Sequence, residues 1–255
     1  MNHAVILIGV GEMGGVFARG FLRAGFTVIP ARRGDDLAQL AAIHPNPELV
    51  LFAVAEKDLH SGLDLIPEAW RDRLALLQNE LLPQDWTQHG YANPTVISVW
   101  FEKKPGKDAK VIQASPVYGP HAQILHDALA AIGIPAKIVA SEAALLFELV
   151  LKNVYILTTN IAGLAVGGNV GELWNQHRDL AKRVAHDVIQ IQEHLCGGVQ
   201  LDAHALIEGM VEAFNGDLEH QCMGRSAPAR LQRALEIADQ ATLAVPALRE
   251  IANAS

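Results

Sequence analysis

Three glycines near the start of the sequence have the spacing of a phosphate-binding turn. They stand at positions 9, 11 and 14, between the apolar run Val5 to Ile8 and the segment VFARGFLRAG, which has a helical apolar period. In that context the first glycine allows a tight turn, the second lets backbone N–H groups approach a pyrophosphate, and the third lets helix and strand pack closely. The anion would then lie at the helix N-terminus. The predicted cofactor-binding residues here are Gly9, Val10, Gly11, Glu12, Met13 and Gly14.

Two arginines follow the second predicted strand, Phe26–Ala31. In a dinucleotide-binding fold, an acidic residue at this point hydrogen-bonds the ribose 2′-hydroxyl of NAD. Arg32 and Arg33 stand there instead, and guanidinium groups make charge-assisted, often bidentate contacts with phosphate. The sequence therefore predicts NADP(H) as cofactor, with Ala53, at the end of the third predicted strand, also lining the site. A solvated arginine pair on a loop, or a glycine turn that binds no ligand, is the alternative.

A long apolar segment near the middle of the chain carries a polar line. On a helical wheel of residues 143–166, Lys152, Ile156, Thr159 and Gly163 fall on one line, with Asn160 at its edge. Lysine, threonine and glycine along one line leave room for a small molecule and offer it polar groups. A solvent-facing stripe with an ordinary lysine explains the same pattern.

The elements that must position these residues alternate through residue 140. Apolar runs predict strands, and the segments between them predict short helices. The predicted strands are 5–8, 26–31, 48–54, 74–77, 95–101, 110–114 and 135–140, and the predicted helices are 35–43, 58–70 and 121–132. This pattern predicts a Rossmann-type α/β fold with a doubly wound parallel sheet.

No strand pattern appears after Ser141, a plausible helix N-cap. Helices are predicted at 141–166, 171–195, 203–214, 228–243 and 246–252. The sequence thus predicts two domains: a dinucleotide-binding domain at 1–140 and an all-helical substrate and catalytic domain at 141–255.

Composition narrows the functional classes. The 255 residues have a formal net charge of −8, so the basic footprint of a nucleic-acid-binding protein is absent. Two cysteines suit a reducing compartment, and the chain enters its first strand at once, so we expect a cytoplasmic protein without a signal peptide. The segment 143–167 contains Glu148, Lys152, Asn153 and Asn160, so we expect no membrane span. The eleven histidines show no metal-binding frame, and we expect no metal site.

The order of these features resembles the ketopantoate reductase family of 6-phosphogluconate-dehydrogenase-like oxidoreductases. The resemblance rests on the GVGEMG turn, a basic residue after the second strand, and Leu77-Gln78-Asn79 after the fourth. It continues through Lys152 to Asn160 and Gly171-Glu172-Leu173. It implies that NADPH delivers hydride while Lys152 protonates the carbonyl oxygen, and that Asn79 holds the nicotinamide and substrate region.

The resemblance also implies substrate contacts from the C-terminal half, where this chain departs from the family pattern. Ile156 and Val170 replace expected asparagines, and Glu80 replaces an expected glycine. Lost polar contacts change substrate choice, so we expect a substrate other than ketopantoate. The residues expected in the site are Asn160, Thr159, Arg225, Ser226 and the carboxylate of Glu236.

The sequence therefore predicts an NADP-dependent reductase of a small ketone or 2-oxo acid, acting as a monomer or a homodimer. Two alternatives stay open. Ala18-Arg19-Gly20 and the segment 22–25 are also similar to pyrroline-carboxylate and imine reductases. A non-catalytic NADP-binding protein that has lost its substrate site is the second alternative.

Overall fold

A computed structural model describes residues 3–254 of the chain. The chain divides into two compact units, Met1–Leu146 and Phe147–Ser255. The division lies a few residues beyond the predicted boundary at 140, inside a long helix.

The first unit is built on a seven-stranded sheet with a separate two-stranded hairpin. Strands β1 to β9 of the described residues are Ala4–Ile8, Thr27–Ala31, Leu49–Phe52, Leu74–Leu76, Thr95–Ile97, Phe101–Glu102, Lys110–Val111, Ser115–Tyr118 and Ala136–Ile138. The sheet order is β2-β1-β3-β4-β5-β8-β9, and β6 pairs with β7 in the hairpin. The central strands are fully buried, as a sheet covered on both faces requires.

The predicted fold class is confirmed, with one difference in strand direction. Strands β1 to β5 are parallel, whereas β8 runs antiparallel to β5, and β9 runs parallel to β8. The sequence did not predict β8, because Pro116 has no N–H to donate and so argues against a central strand. Residues 98–100 interrupt the predicted strand 95–101, and a turn that contains Pro105 and Gly106 joins β6 to β7.

The helices of the first unit lie between these strands. Helices α1 to α5 are Glu12–Arg23, Leu37–Ile43, Leu59–Leu63, Gln84–Thr87 and Ala122–Ala130. The predicted helix 58–70 is instead the short α3 between 3-10 turns at Glu56–Asp58 and Glu68–Arg73. Helices α1 and α5 pack closely, because a Cβ on Gly20 would lie 2.5 Å from the Ala128 carbonyl oxygen. Their apolar faces form one buried core with the sheet.

The second unit is helical, as predicted. Helix α6 (Glu142–Val166) runs from the first unit into the second, and Ser141 caps it by accepting a hydrogen bond from the Ala144 N–H at 3.2 Å. Helices α7 to α11 are Val170–Gln176, Arg178–Leu195, Ala203–Gly216, Ala227–Gln240 and Pro246–Ala254. The predicted helix 171–195 is two helices that break at His177, where the backbone is not helical (φ −129°, ψ 32°). The apolar period continues across this break, so the pattern alone did not show it.

Helix α6 is long and apolar enough to span a membrane by length and composition, with a mean hydropathy of 1.5 over its most apolar window. Within the protein, 72% of that window is buried. Core helices of folded proteins pass the same test, and the burial of α6 matches that pattern.

Candidate functional site

The predicted cofactor residues share one edge of the sheet. Strands β2 and β3 flank β1 on opposite sides and all three are parallel, so the strand order reverses at β1. Ligands of open α/β sheets bind outside the carboxyl ends of the strands at such a reversal. The turn at Gly9–Gly14, the Arg32-Arg33 pair, Ala53 and Asn79 follow the carboxyl ends of β1, β2, β3 and β4 in that order.

Two of the three glycines of the turn are required by packing. Gly9 has φ +96°, and a Cβ there would lie 2.5 Å from the Ala53 carbonyl oxygen. A Cβ on Gly14 would lie 2.1 Å from the Gly9 carbonyl oxygen. These contacts hold α1 close to β1 and β3. Gly11 differs, because a Cβ built on it meets no protein atom within 4 Å.

The space at Gly11 lies at the uncapped start of α1. Gly11 is the N-cap residue, and no side chain accepts a hydrogen bond from the first turn of α1. By contrast, Asp36 caps α2 and Asp202 caps α9 through side-chain oxygens. The first N–H groups of a helix need an acceptor and favour an anion. An open glycine in front of these donors fits the pyrophosphate of a dinucleotide.

Glu12 adds a carboxylate to this turn, and Lys103 compensates its charge. The Lys103 Nζ donates to Glu12 Oε2 at 2.9 Å. Both side chains line a cavity of about 590 Å³ beside the turn, together with Val10, Gly11 and Arg19. Because the ammonium pairs with the carboxylate, Glu12 repels an incoming phosphate less than an unpaired carboxylate would. The sequence did not predict this contact, because nothing in the local pattern connects Lys103 to Glu12.

The arginines after β2 lie on the surface at the predicted place. The Arg32 backbone N–H donates to Asp35 Oδ2 at 2.7 Å, which fixes the turn. The Arg33 Nη2 donates to Asp58 Oδ2 at 2.8 Å, with 84% of the Arg33 side chain exposed. Both arginine side chains are therefore exposed beyond the end of β2, and that of Arg33 is paired with Asp58.

The residue before Asn79 ties two strand ends together. Gln78 is buried, and its Nε2 donates to the Phe52 carbonyl oxygen at 2.7 Å, which joins the end of β4 to the end of β3. Asn79 follows on the exposed edge. Glu80 has φ 57°, a left-handed conformation that costs a non-glycine residue about 1–2 kcal/mol. This strain explains why the resemblance leads us to expect glycine at position 80. Sequence reasoning missed Gln78, although a glutamine directly after a buried strand is a usable signal.

Lys152 is a buried lysine on α6, with 9% of its surface exposed. Glu148, one turn earlier on the same helix, is 8% exposed. The next residue, Asn153, points elsewhere and donates from Nδ2 to Gln192 Oε1 on α8 at 2.9 Å. The environment of Lys152 therefore differs from that of a lysine on a solvated stripe, the alternative that the sequence left open.

The structure changes the interpretation of Thr159 and Gly163. Thr159 is 1% exposed, and its hydroxyl donates to the Tyr155 carbonyl oxygen at 2.8 Å. A hydroxyl bonded to its own helix does not offer that hydrogen to a substrate. A Cβ on Gly163 would lie 2.9 Å from Cys222 Cβ, so the space left by this glycine holds the segment 222–223 and not a small molecule.

Asn160 remains half-exposed and has a partner that sequence reasoning did not identify. Its Oδ1 accepts a hydrogen bond from Arg230 Nη1 on α10 at 3.1 Å, and its Nδ2 donates to the Ile156 carbonyl oxygen at 2.9 Å. Arg230 received no role from the sequence because nothing in its local pattern connects it to α6.

The other predicted C-terminal residues lie on the surface. Arg225 and Ser226 are exposed at the start of α10, and Ser226 makes no side-chain cap there. Glu236 is exposed and accepts a hydrogen bond from Gln232 Nε2 at 2.9 Å. Six residues of helix separate Glu236 from Arg230, which turns it about 240° around α10. The structure therefore does not bring Glu236 to Asn160, contrary to our expectation.

The Gly171-Glu172-Leu173 motif lies in the first turn of α7, which begins with a capping box. Asn169 Oδ1 accepts from the Glu172 N–H at 2.8 Å, and Glu172 Oε2 accepts from the Asn169 N–H at 3.1 Å. These reciprocal bonds give acceptors to two backbone N–H groups that have none within the helix. Glu172 thus has a structural role in this unit.

Residues 3–254 contain no group of three or more His, Cys, Asp or Glu side chains that could hold a metal ion. Cys222 is fully buried, and burial, with a smaller contribution from Glu172, raises the pKa of its thiol to about 12. At neutral pH this thiol is protonated and is a poor nucleophile.

The architecture is shared with solved structures of reductases. No protein-family model matches the sequence, and no curated protein matches it by sequence. A 2-dehydropantoate 2-reductase from Methylococcus capsulatus has a TM-score of 0.69 and 12% identity, with coverage of 97% of this chain and 94% of that one. This chain has the ketopantoate reductase fold. That fold includes both the sheet and the helical C-terminal part, since the alignment covers nearly all of each chain.

Two further solved structures extend this fold likeness. A dimeric ketopantoate reductase from Staphylococcus aureus has a TM-score of 0.64 and 14% identity, over 97% of this chain and 96% of that one. D-mandelate dehydrogenase in complex with NADH has a TM-score of 0.67 and 14% identity, over 98% of this chain and 96% of that one.

Proposed function

We propose that the protein is an NADP-dependent reductase of a small ketone or 2-oxo acid and a divergent member of the ketopantoate reductase family. The observation that carries the proposal is the open glycine turn at the reversal point of the sheet. Its N–H donors have no side-chain cap, and a Cβ at Gly11 would enter empty space. The fold likeness to a 2-dehydropantoate 2-reductase, a ketopantoate reductase and D-mandelate dehydrogenase supports the reaction class.

The first unit, 1–146, would hold the cofactor. The N–H groups of Glu12 and Met13 would bind the pyrophosphate, and Arg32 and Arg33 would bind the 2′-phosphate. Asn79 would lie beside the nicotinamide end, because it follows β4, on the other side of β1 from β2. When bound, the reduced nicotinamide supplies the hydride for the reaction.

The helical unit would contribute the acid. Hydride addition to a carbonyl group builds negative charge on its oxygen, and a proton donor at that oxygen lowers the barrier. Lys152 would hold this proton on Nζ and donate it to the carbonyl oxygen. Its burial supports this role, because a water-poor environment strengthens the interaction between an ammonium and a developing oxyanion.

NADP(H) is the proposed cofactor in preference to NAD(H). Two exposed guanidinium groups after β2 suit a 2′-phosphate, and no carboxylate directly follows that strand. The D-mandelate dehydrogenase structure contains NADH, so the proposed preference for NADP(H) rests on the two arginines and not on the fold. A cytoplasmic location and a homodimer, as in the dimeric Staphylococcus aureus reductase, complete the proposal.

The test begins with cofactor binding and continues with turnover. We expect the protein to bind NADPH more tightly than NADH in a calorimetric titration. We then expect it to oxidise NADPH in the presence of at least one member of a panel of 2-oxo acids, ketones and cyclic imines. Substitution Lys152→Met should lower kcat by about 10²–10⁴-fold, the usual contribution of a positioned acid, and leave the Kd for NADPH unchanged.

Lys182→Met is the matched control, since Lys182 is an exposed lysine of the same unit. It should retain wild-type kcat, and circular dichroism should give both variants the helical content of the wild type. If Lys152→Met retains full turnover, the assignment of the acid is wrong. If the wild type binds NADPH but turns over no carbonyl compound or imine, the protein is a nucleotide-binding protein without this activity.

A further inference from the structure

Two histidines of the first unit join the connection that follows β3 to the connection that follows β4. His60 lies in α3, and His89 lies two residues beyond the end of α4. The Nδ1 atom of His60 and the Nε2 atom of His89 are 3.1 Å apart, a hydrogen-bond distance, and the tautomer decides which ring donates. Since β3 and β4 are neighbouring parallel strands, this bond links two segments that are distant in the sequence but adjacent in the fold.

Each histidine also has a carboxylate at its other ring nitrogen. The Nδ1 atom of His89 lies 2.6 Å from Asp64 Oδ1, and the Nε2 atom of His60 lies 3.7 Å from Asp85 Oδ1. The Gln88 Nε2 atom lies 3.3 Å from Nδ1 of His60. The His89 side chain is 12% exposed and that of His60 is 53% exposed. The pair is therefore partly shielded from solvent, with a carboxylate at each end.

The number of protons on the two rings determines whether this arrangement can form. An imidazole nitrogen donates only when it carries a proton and accepts only when it does not. The bond between the rings needs one proton, and the contacts with Asp64 and Asp85 each favour one more. A further proton would place two N–H groups against each other on two imidazolium rings that repel. The separated pair therefore binds more protons than the paired rings, and acidification favours separation.

The charged groups around the pair act in the same direction. Burial raises the pKa of the Asp85 carboxyl, although a backbone hydrogen bond and both histidines lower it. Asp85 therefore loses its charge at a higher pH than an exposed aspartate and compensates His60 less in acid. Arg71 Nη2 donates to the His89 carbonyl oxygen at 2.6 Å, which places a permanent cation beside this histidine. The carboxylate of Glu68, 3.8 Å from Arg71 Nε, is exposed to solvent and offsets this charge only in part.

The pair is connected to the segment that follows the proposed nicotinamide contact. Asp85 Oδ2 accepts a hydrogen bond from the Leu82 N–H at 2.7 Å, and Leu82 is three residues beyond Asn79. A separate contact, from the Tyr91 hydroxyl to the Leu63 carbonyl oxygen at 2.8 Å, joins α3 to the end of the same connection. This second contact involves no histidine, so separation of the two rings should loosen the segment 79–89 without unfolding the unit.

We propose that His60 and His89 form a pH-sensitive clamp that holds the segment 79–89 against α3 near neutral pH and releases it in acid. The structural part of this proposal does not depend on the function of the protein. Its consequence for cofactor binding rests on the proposed function, in which Asn79 lies beside the nicotinamide end. Release of the segment should then weaken cofactor binding as the pH falls.

Hydrogen exchange measured by mass spectrometry on the whole protein without cofactor tests the clamp. The wild type is compared at about pH 8 and about pH 5, the interval in which histidine changes charge, after correction for the intrinsic pH dependence of exchange. Protection of the segment 79–89 should fall by about 2–10-fold in acid, the equivalent of one hydrogen bond. His60→Asn replaces Nδ1 by an amide that does not titrate, and His89→Gln does so for Nε2, so either variant should remove this pH response.

His126→Asn is the matched control. His126 also has a carboxylate at one ring nitrogen, with Nδ1 2.9 Å from Asp127 Oδ1, but it lies on α5 and outside the clamp. This variant should keep the wild-type pH response of the segment 79–89. Circular dichroism should give all three variants the helical content of the wild type, and the use of two clamp variants allows the test to proceed if one of them misfolds.

Titration with NADP⁺, which is stable in acid, separates the clamp from the proposed function. Between the two pH values the Kd of the wild type should rise about 2–10-fold more than the Kd of His60→Asn. If protection of the segment 79–89 changes equally with pH in the wild type and in both clamp variants, the clamp is wrong and the reductase proposal stands. If protection responds as expected but the wild type binds no NADP⁺, the clamp stands and the proposed function is wrong.

Discussion

Alanine substitutions in the glycine turn should separate stability from cofactor binding. Gly9→Ala places a Cβ 2.5 Å from the Ala53 carbonyl oxygen in a residue with φ +96°. The left-handed conformation costs about 1–2 kcal/mol and overpacking typically costs about 1–3 kcal/mol, so the free energy of unfolding should fall by roughly 2–5 kcal/mol. For a protein of this size that is a decrease in Tm of roughly 4–20 °C.

Gly11→Ala should have the opposite effects, a small change in stability and a large loss of cofactor affinity. The backbone of Gly11 (φ −71°, ψ −170°) is extended and accessible to alanine, and its Cβ meets no protein atom within 4 Å. Stability should therefore fall by no more than about 1 kcal/mol, the difference expected between glycine and alanine at a helix N-cap. The same Cβ occupies the space in front of the α1 N–H donors. Losing one hydrogen bond to a charged group raises the Kd by about 10–100-fold.

Differential scanning fluorimetry and titration with NADPH measure the two effects on the same samples. Gly15→Ala is the control, because Gly15 also has open space at its Cβ position but lies one turn into α1. It should gain up to about 1 kcal/mol from helix propensity and bind NADPH like the wild type. If Gly11→Ala binds NADPH normally, the pyrophosphate does not lie at this turn and the reasoning is refuted.

Two further predictions concern the second unit. Asp187 is buried and accepts the Ala247 and Leu248 N–H groups at 2.7 and 3.1 Å, so Asp187→Ala should uncap α11 and lower stability by about 1–2 kcal/mol in chemical denaturation. Burial raises the pKa of this carboxyl above its ordinary value of 3.8. The folded state therefore holds the proton more tightly than the unfolded state, and the contribution of Asp187 to stability should fall as the pH rises from 3.8 to the raised pKa. Asp187→Asn should flatten this slope, and an unchanged slope would contradict the assignment. One thiol, Cys196, should react with a disulfide reagent in the folded protein, because Cys222 is buried with a pKa of about 12; reaction of both before unfolding would contradict it.

The sequence predicted the parts of the fold that depend on local pattern. The glycine turn, the first strands and the boundary where helices replace strands all carry a signal within a few residues of themselves. Pro116 shows the limit, since a proline in a short apolar run argues against the strand that long-range pairing nevertheless forms. The break at His177 was hidden for a similar reason, because the apolar period runs through it.

The candidate site could be predicted only as far as single elements determine it. A helical wheel placed Lys152 and Asn160 on one side of α6, but it could not show that Thr159 bonds to its own helix. Lys103 and Arg230 contact Glu12 and Asn160 from distant parts of the chain, and no local pattern connects these pairs. The sequence therefore did not reveal charged side chains whose partners come from distant parts of the chain.

The packing around Gly163 links several positions of the second unit. Because Gly163 accepts the backbone of 222–223, the segment before α10 lies against α6 and fills space that the helical wheel left open. That arrangement buries Cys222 and leaves Asn160 beside the small Gly224, within reach of Arg230. A larger residue at position 163 would displace the segment, and the arginine contact would have to change with it. The positions 163, 222 and 230 are therefore coupled through one packing arrangement, and substitutions there should be interpreted together.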